Sequence, residues 1–120
     1  MPKLLIVDDE VDTRDFAKAF FQKRGVEVLT AGNAKEALEV LKKVQPDLAL
    51  FDVYMDDMNG VELLKEIRSQ GNKLKVLMVT AVEDKEVVEE ANKWGIEGYI
   101  HKPLVLEELE TIVMAQLQAQ

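Results

Sequence analysis

The chain contains no cysteine. That excludes thiol catalysis, cysteine-based zinc sites and any disulfide framework, and it suits a reducing compartment. Long apolar runs are missing as well. The amino-terminal run Leu4-Leu5-Ile6-Val7 is far too short for a secretory signal or a membrane span. Basic charge is in deficit, with 15 Lys and Arg against 23 Asp and Glu and a formal net charge of −8. Such a chain repels DNA and anionic membranes, so neither is expected as a direct partner. No linker, internal repeat or low-complexity segment interrupts it. The expectation is a cytoplasmic protein of a single domain, residues 1–120. A chain of that size buries roughly two thirds of its unfolded surface without a disulfide or structural metal.

What is present is a regular alternation. Leu4–Val7 reads as a buried strand ending at Asp8-Asp9, and Val11 to Arg24 as a helix with Phe16, Ala17, Phe20 and Phe21 at helical spacing. Gly25 is placed to stop that helix. Val26–Ala31, β-branched and polar at alternate positions, suits a strand near a sheet edge. Asn33 can cap a helix whose face is Ala34, Ala37, Leu38, Leu41 and Val44, with Pro46 past its end. Leu48–Phe51 is a third strand, and Asn59-Gly60 closes the loop that follows it. Val61, Leu63, Leu64 and Ile67 mark a third helix, and Val76–Val79 a fourth strand stopping at Thr80. Val87, Val88, Ala91 and Trp94 mark a fourth helix ending at Gly95. Tyr99-Ile100 is a short last strand before Lys102-Pro103, and Leu106, Leu109, Ile112, Val113 and Leu117 face the final helix.

Five such β-α units demand an α/β fold: a mostly parallel sheet with helices on both faces and right-handed crossovers. The expected form is a flavodoxin-like (βα)5 three-layer sandwich with strand order 2-1-3-4-5. Its switch point lies between strands 1 and 3, and both run into aspartate. Parallel strands bring their carboxyl ends to one edge, so Asp8, Asp9, Asp52, Thr80 and Lys102 should meet there. Three converging carboxylates repel one another unless a cation screens them. Mg2+ fits, because it takes hard oxygen ligands and sits on one or two carboxylates plus phosphate and water. A nucleophilic carboxylate, a hydroxyl and a lysine beside that ion make a phosphoryl-transfer site. Each residue also has an ordinary reading: Asp8-Asp9 as a helix cap, Thr80 as a β-branched strand residue, Lys102 as a solvated lysine. The conjunction at the ends of four strands favours the site.

At these residues the chain resembles the receiver domain of two-component response regulators, of the single-domain chemotaxis type, over essentially its whole length. The matching features are Asp8-Asp9 after LLIV, Asp52 with Met55, Met58 and Gly60 downstream, Thr80-Ala81 after KVLMV, and Gly98-Tyr99 before Lys102-Pro103. The resemblance implies that Asp52 is the phosphoacceptor for a sensor histidine kinase or histidine phosphotransfer protein. It implies Mg2+ (or Mn2+) held by Asp9, Asp52 and the main-chain carbonyl of Tyr54, with Asp8 acting through water. Lys102 would pair with the phosphoryl group, the peptide before Pro103 would be cis, and a small Ala81 would leave the group room. Thr80 would move toward the phosphate and Tyr99 would swing inward, reshaping the face made by the fourth helix, last strand and last helix for a downstream protein target. The domain would be a switch rather than an enzyme, catalysing at most its own phosphorylation and dephosphorylation. Tyr54 and Val82, both bulky and neither a carboxylate nor an amide, imply slow spontaneous hydrolysis of the adduct.

Some positions depart from the pattern. Asp56 stands where the family often has proline, and with Asp57 it reads as a solvated loop acid. Trp94 stands where a small residue is common and reads as helix packing, with a docking role as the alternative. His101, the single histidine, reads as a bystander flanking the site. Two other readings fit the residues less well. A phosphatase of the haloacid dehalogenase type needs a second aspartate two residues after the nucleophile, and position 54 is Tyr. A degenerate receiver that only binds partners usually lacks an acid, the threonine or the lysine, and all are here. The output is open, since the chain reads either as a stand-alone regulator or as part of a longer one.

Overall fold

A computed structural model describes residues 1–55, 57–80 and 85–118. Expectations placed on Asp56, Ala81 and Val82 therefore lie outside the described residues. The strands are β1 (Lys3–Val7), β2 (Glu27–Ala31), β3 (Leu48–Asp52), β4 (Val76–Thr80) and β5 (Gly98–His101). The helices are α1 (Val11–Gln22), α2 (Ala34–Lys43), α3 (Gly60–Ser69), α4 (Lys85–Trp94) and α5 (Leu106–Gln118). All strand pairs are parallel, and the order is β2-β1-β3-β4-β5, as the alternation predicts.

The unbroken apolar runs have a simple cause. Successive side chains of a strand point to opposite faces, and here both faces are covered. Every position of β3 and β4 is buried. On one face Leu5, Val7, Ala49, Phe51, Val76 and Met78 pack with Ala37 of α2, Leu63, Leu64 and Ile67 of α3, and Ala91 of α4. On the other, Leu4, Ile6, Leu48, Leu50, Leu77 and Val79 pack with Ala17 and Phe21 of α1 and with Leu109, Val113 and Leu117 of α5. Each fully buried Val, Leu, Ile, Phe or Met among these contributes about 1.5–3 kcal/mol. β3 lies between β1 and β4 in the middle of the sheet, so whatever stands at its carboxyl end is held from both sides.

Both central strands run one residue further than their apolar runs. Asp52 is the last residue of β3, in register with Val79, and Thr80 closes β4 opposite His101. Tertiary pairing overrides composition at these two positions. α1 is shorter than expected and ends at Gln22, because Arg24 and Gly25 donate to Phe21 and Gln22 in a tightened last turn. Gly25, Gly71 and Gly95 follow α1, α3 and α4 with φ of 80°, 80° and 83°. Two apolar residues leave the core. Phe16 of α1 is 59% exposed, and Trp94 is not part of the packing between α4 and the sheet but 37% exposed, with the Lys65 ammonium 5.9 Å from its ring centre. The helical period marks a stripe; it does not say which residue sits on the stripe's margin.

α4 is held at its carboxyl end by Arg68 of α3. The guanidinium donates to the carbonyls of Trp94 (2.8 Å) and Gly95 (2.7 Å), and also to those of Asn72 (2.9 Å) and Leu74 (2.8 Å). α3 begins with a reciprocal cap. Asn59 Oδ1 accepts the Glu62 N–H at 2.8 Å, and Glu62 Oε1 accepts the Asn59 N–H at 3.4 Å. Its first residue is pressed against β3: a Cβ on Gly60 would lie 2.4 Å from the Asp52 carbonyl oxygen and 3.0 Å from the Met78 terminal methyl. The backbone cannot yield without moving Asp52. Gly60→Ala is therefore expected to lower the stability measured by urea unfolding by about 1–3 kcal/mol. An unchanged unfolding midpoint would contradict this close approach.

Candidate functional site

The carboxyl edge of the sheet gathers the polar residues that the core excludes. Buried among them are Asp8, Asp52 and Thr80, each less than 5% exposed. Asp8 follows β1 directly and is held at three points. Its N–H donates to Ala31 O (3.1 Å), its Oδ1 accepts the Glu10 N–H (2.9 Å), and its carbonyl accepts from the Arg14 guanidinium (2.6 Å). Asp8-Asp9 is not the cap of α1: that position is Glu10, whose side chain makes no capping bond. Asp8 thus spends one oxygen on its own turn and turns the other toward the centre of the edge.

Lys102 reaches that centre from the other side. Its N–H donates to Thr80 O at 2.8 Å, which extends the β4–β5 pairing, and the Lys102-Pro103 peptide is cis. Its ammonium lies 3.0 Å from Asp52 Oδ2, 3.7 Å from Asp8 Oδ2 and 3.5 Å from Glu10 Oε1. Asp52 Oδ1 accepts the Tyr54 N–H at 3.4 Å. Burial pushes the Asp52 carboxyl above the usual carboxylate range and Asp8 adds to it, against the Lys102 bond and charge and the Tyr54 N–H. For Lys102 burial pulls the ammonium down, but the Asp52 bond and the charges of Asp52, Asp8 and Glu10 outweigh it and raise it. Ionising Asp52 thus costs more than ionising an ordinary carboxylate, while the acids around Lys102 favour its charged form.

Asp9 lies beside this pair. One carboxylate oxygen each from Asp8, Asp9 and Glu10 fall within 4.8 Å of one another, the group with metal-ligand spacing among the described residues. An all-oxygen set of crowded like charges suits a hard divalent cation such as Mg2+. Asp52 itself is engaged by Lys102 rather than joined to that triad. Glu10 is a member that sequence reasoning missed, although it directly continues the run Asp8-Asp9. Arg14 was missed as well, and no sequence signal reveals its grip on the Asp8 carbonyl.

Tyr99 stands apart from the acids. It packs beside the β3–β4 core on the α4 side, and its hydroxyl donates to Val88 O of α4 at 2.7 Å. Burial pushes its phenol up. Tyr54 is 51% exposed and meets the site through its main chain. His101 is exposed at the end of β5. Beside Lys102 opens a cleft of about 460 Å³ lined by Glu10, Asp12, Thr13, Phe16, Pro103 and Leu104. An acidic cluster with a buried carboxylate and an ammonium 3.0 Å from it supplies the groups that phosphoryl transfer uses.

Comparison with known proteins agrees with this geometry. The family model described as the response regulator receiver domain matches residues 4–114. Sporulation initiation phosphotransferase F of Bacillus subtilis (strain 168) is 30% identical over 115 residues, which span 96% of this chain and 93% of that protein. Regulatory protein AtoC of Escherichia coli (strain K12) is 37% identical over 118 residues, 98% of this chain but 26% of that protein. The chain also spans about half, 48%, of the probable C4-dicarboxylate response regulator DctR of Bacillus subtilis. Among solved structures, a CheY-like receiver domain protein from Methanospirillum hungatei JF-1 superposes with a TM-score of 0.93 at 31% identity, covering 99% of this chain and 95% of that one. Chemotaxis protein CheY4 of Vibrio cholerae gives 0.90 at 32% identity, over 96% and 98% of the two chains. This chain belongs to the response regulator receiver domain family of two-component systems.

Proposed function

We propose that this chain, as one receiver domain across residues 1–120, is a phosphorylation-controlled switch with Asp52 as its phosphoacceptor. The observation that supports it most is the meeting of Asp52 Oδ2 with the Lys102 ammonium at 3.0 Å, beside the Asp8-Asp9-Glu10 oxygens. Asp8, Asp9, Asp52 and the Tyr54 carbonyl would hold Mg2+ or Mn2+, with Glu10 adjacent to them. Bound there, the ion supplies positive charge that neutralises phosphoryl oxygens. The Asp52 carboxylate donates an electron pair to phosphorus while the bond from phosphorus to a phosphohistidine nitrogen breaks, its electrons returning to the imidazole. Lys102, already placed at the carboxylate, moves onto a phosphoryl oxygen, and the Thr80 hydroxyl donates to another. No base is required. The domain is a substrate that positions its own reaction, and its turnover extends no further than its own phosphorylation and dephosphorylation.

The donor is a sensor histidine kinase or histidine phosphotransfer protein, whose phosphohistidine must approach Asp52 beside Lys102. The cleft beside Lys102, with Phe16, Pro103 and Leu104 in its lining, offers apolar surface for such a donor. The readout is protein contact, in the cytoplasm, through the surface of α4, β5 and α5. Tyr99 links that surface to the site: its bond to Val88 fixes its ring against α4, and movement of Thr80 toward phosphate opens space for the ring to turn inward. One local event then biases a two-state element.

Incubation with a small phosphodonor and Mg2+ should give a single phosphoryl adduct by intact mass, absent in Asp52→Asn and with EDTA. An unmodified wild type would refute the proposal. Thr80→Ala should still accept the phosphoryl group yet lose the response of the Tyr99 ring, read as aromatic resonances with and without beryllofluoride. Full Tyr99 response in that variant would contradict the part given to Thr80.

A further inference from the structure

Asp57 has no part in the chemistry above, and in the sequence it reads as a solvated loop acid. In the structure both of its oxygens are committed. Oδ1 accepts the Ala34 N–H at 3.2 Å and the Met58 N–H at 2.8 Å, and Oδ2 accepts the Lys35 N–H at 3.2 Å. Ala34 and Lys35 are the first two residues of α2, and the third, Glu36, donates to Asn33 Oδ1 at 2.8 Å. The orphan donors of this first turn are thus divided between the helix's own cap and a carboxylate from the segment joining β3 to α3. A negative charge is also favoured there by the helix dipole.

The other side of the same turn reaches the acids. Gly32 donates to Glu36 Oε1 at 2.7 Å, and it lies so near Arg14 that a Cβ would stand 2.7 Å from Nη1. That nitrogen donates to the Asp8 carbonyl, and the Asp8 N–H donates to Ala31 O, just before Gly32. An unbroken series of contacts therefore runs from Asp57 through the start of α2 and Arg14 to Asp8. It joins the two segments that flank the site, one bearing Tyr54 and the other Asp8 and Asp9.

We infer that Asp57 is a positioning residue, clasping the first turn of α2 so as to brace the Tyr54 segment against the Asp8-Asp9 segment and fix the spacing of the cation's donors. This rests on the divalent-cation site proposed above. Although burial pulls the other way, the N–H donors of Ala34, Met58 and Lys35 together hold the Asp57 carboxyl below the usual carboxylate range, so the clasp is charged at neutral pH. Its oxygens face backbone donors, which distinguishes a clasp from an additional metal ligand.

The test uses the wild type, Asp57→Ala and Asp57→Asn with two readouts. Amide hydrogen exchange at Ala34 and Lys35, measured without metal, reads the clasp; titration with MgCl2 by calorimetry reads its effect on the site. Asp57→Ala should speed exchange at both amides by about fivefold or more and weaken Mg2+ binding by more than about twofold, as a residue coupled to a site through intervening contacts does. Asp57→Asn keeps an accepting oxygen and should fall between the other two in both measurements. Unchanged exchange in Asp57→Ala, or Mg2+ affinity within about twofold of wild type, would overturn the inference. Equal weakening in both variants with normal exchange would instead mark Asp57 as a ligand, and overturns it too. A wild type that does not bind Mg2+ would refute the cation site and with it the donor-spacing role, while the metal-free exchange still decides the clasp.

Discussion

The structure turns on the ion pair between Asp52 and Lys102. A parallel sheet buried on both faces must place its polar strand ends at one edge, and this chain puts Asp8, Asp9, Glu10 and Asp52 there together. Burial and the Asp8 charge make the ionised Asp52 expensive. One ammonium, 3.0 Å from Asp52 and within 4 Å of Asp8 and Glu10, offsets part of that cost. It does not offset all of it, since the carboxyl remains raised. An edge with surplus negative charge and a ready nucleophile is what a dication and a phosphoryl group need.

Most of the architecture was legible in the sequence, because the features that fix it are local. Buried parallel strands read as unbroken apolar runs, and Leu48–Phe51 and Val76–Val79 are such runs. Asn33 caps α2 as its residue type suggests. With strand order known, the convergence of Asp8, Asp52 and Lys102 follows from topology alone. What could not be read depends on distant parts of the chain. Asp57 clasps a helix 22 residues away, Arg14 grips a main-chain carbonyl, and Arg68 collects the carbonyls of Asn72, Leu74, Trp94 and Gly95. None of these has a periodicity or a spacing. Glu10 was overlooked for another reason: an acid at the start of a helix usually serves the dipole, and here it faces Lys102 instead.

Thr80 and His101 are paired across β4 and β5, and Tyr99 sits two residues before His101 on the face covered by α4. α4 is fixed at its carboxyl end by Arg68, while Val88 near its middle takes the Tyr99 hydroxyl. A change at Thr80 is thus set beside a side chain bonded to a helix anchored at one end.

We propose that charge at Asp52 opposes folding and that a dication compensates it. Because the carboxyl is raised in the folded protein, its contribution to stability is present below its unfolded value and lost as pH rises through the folded one. At neutral pH, therefore, the ionised group destabilises. Urea unfolding of wild type and Asp52→Asn at pH 7, with and without MgCl2, measures this directly. The account predicts a more stable Asn variant without metal, and a gain in Mg2+ for the wild type that exceeds the variant's, because only the native site binds the ion. A less stable Asn variant together with equal responses to Mg2+ would contradict it.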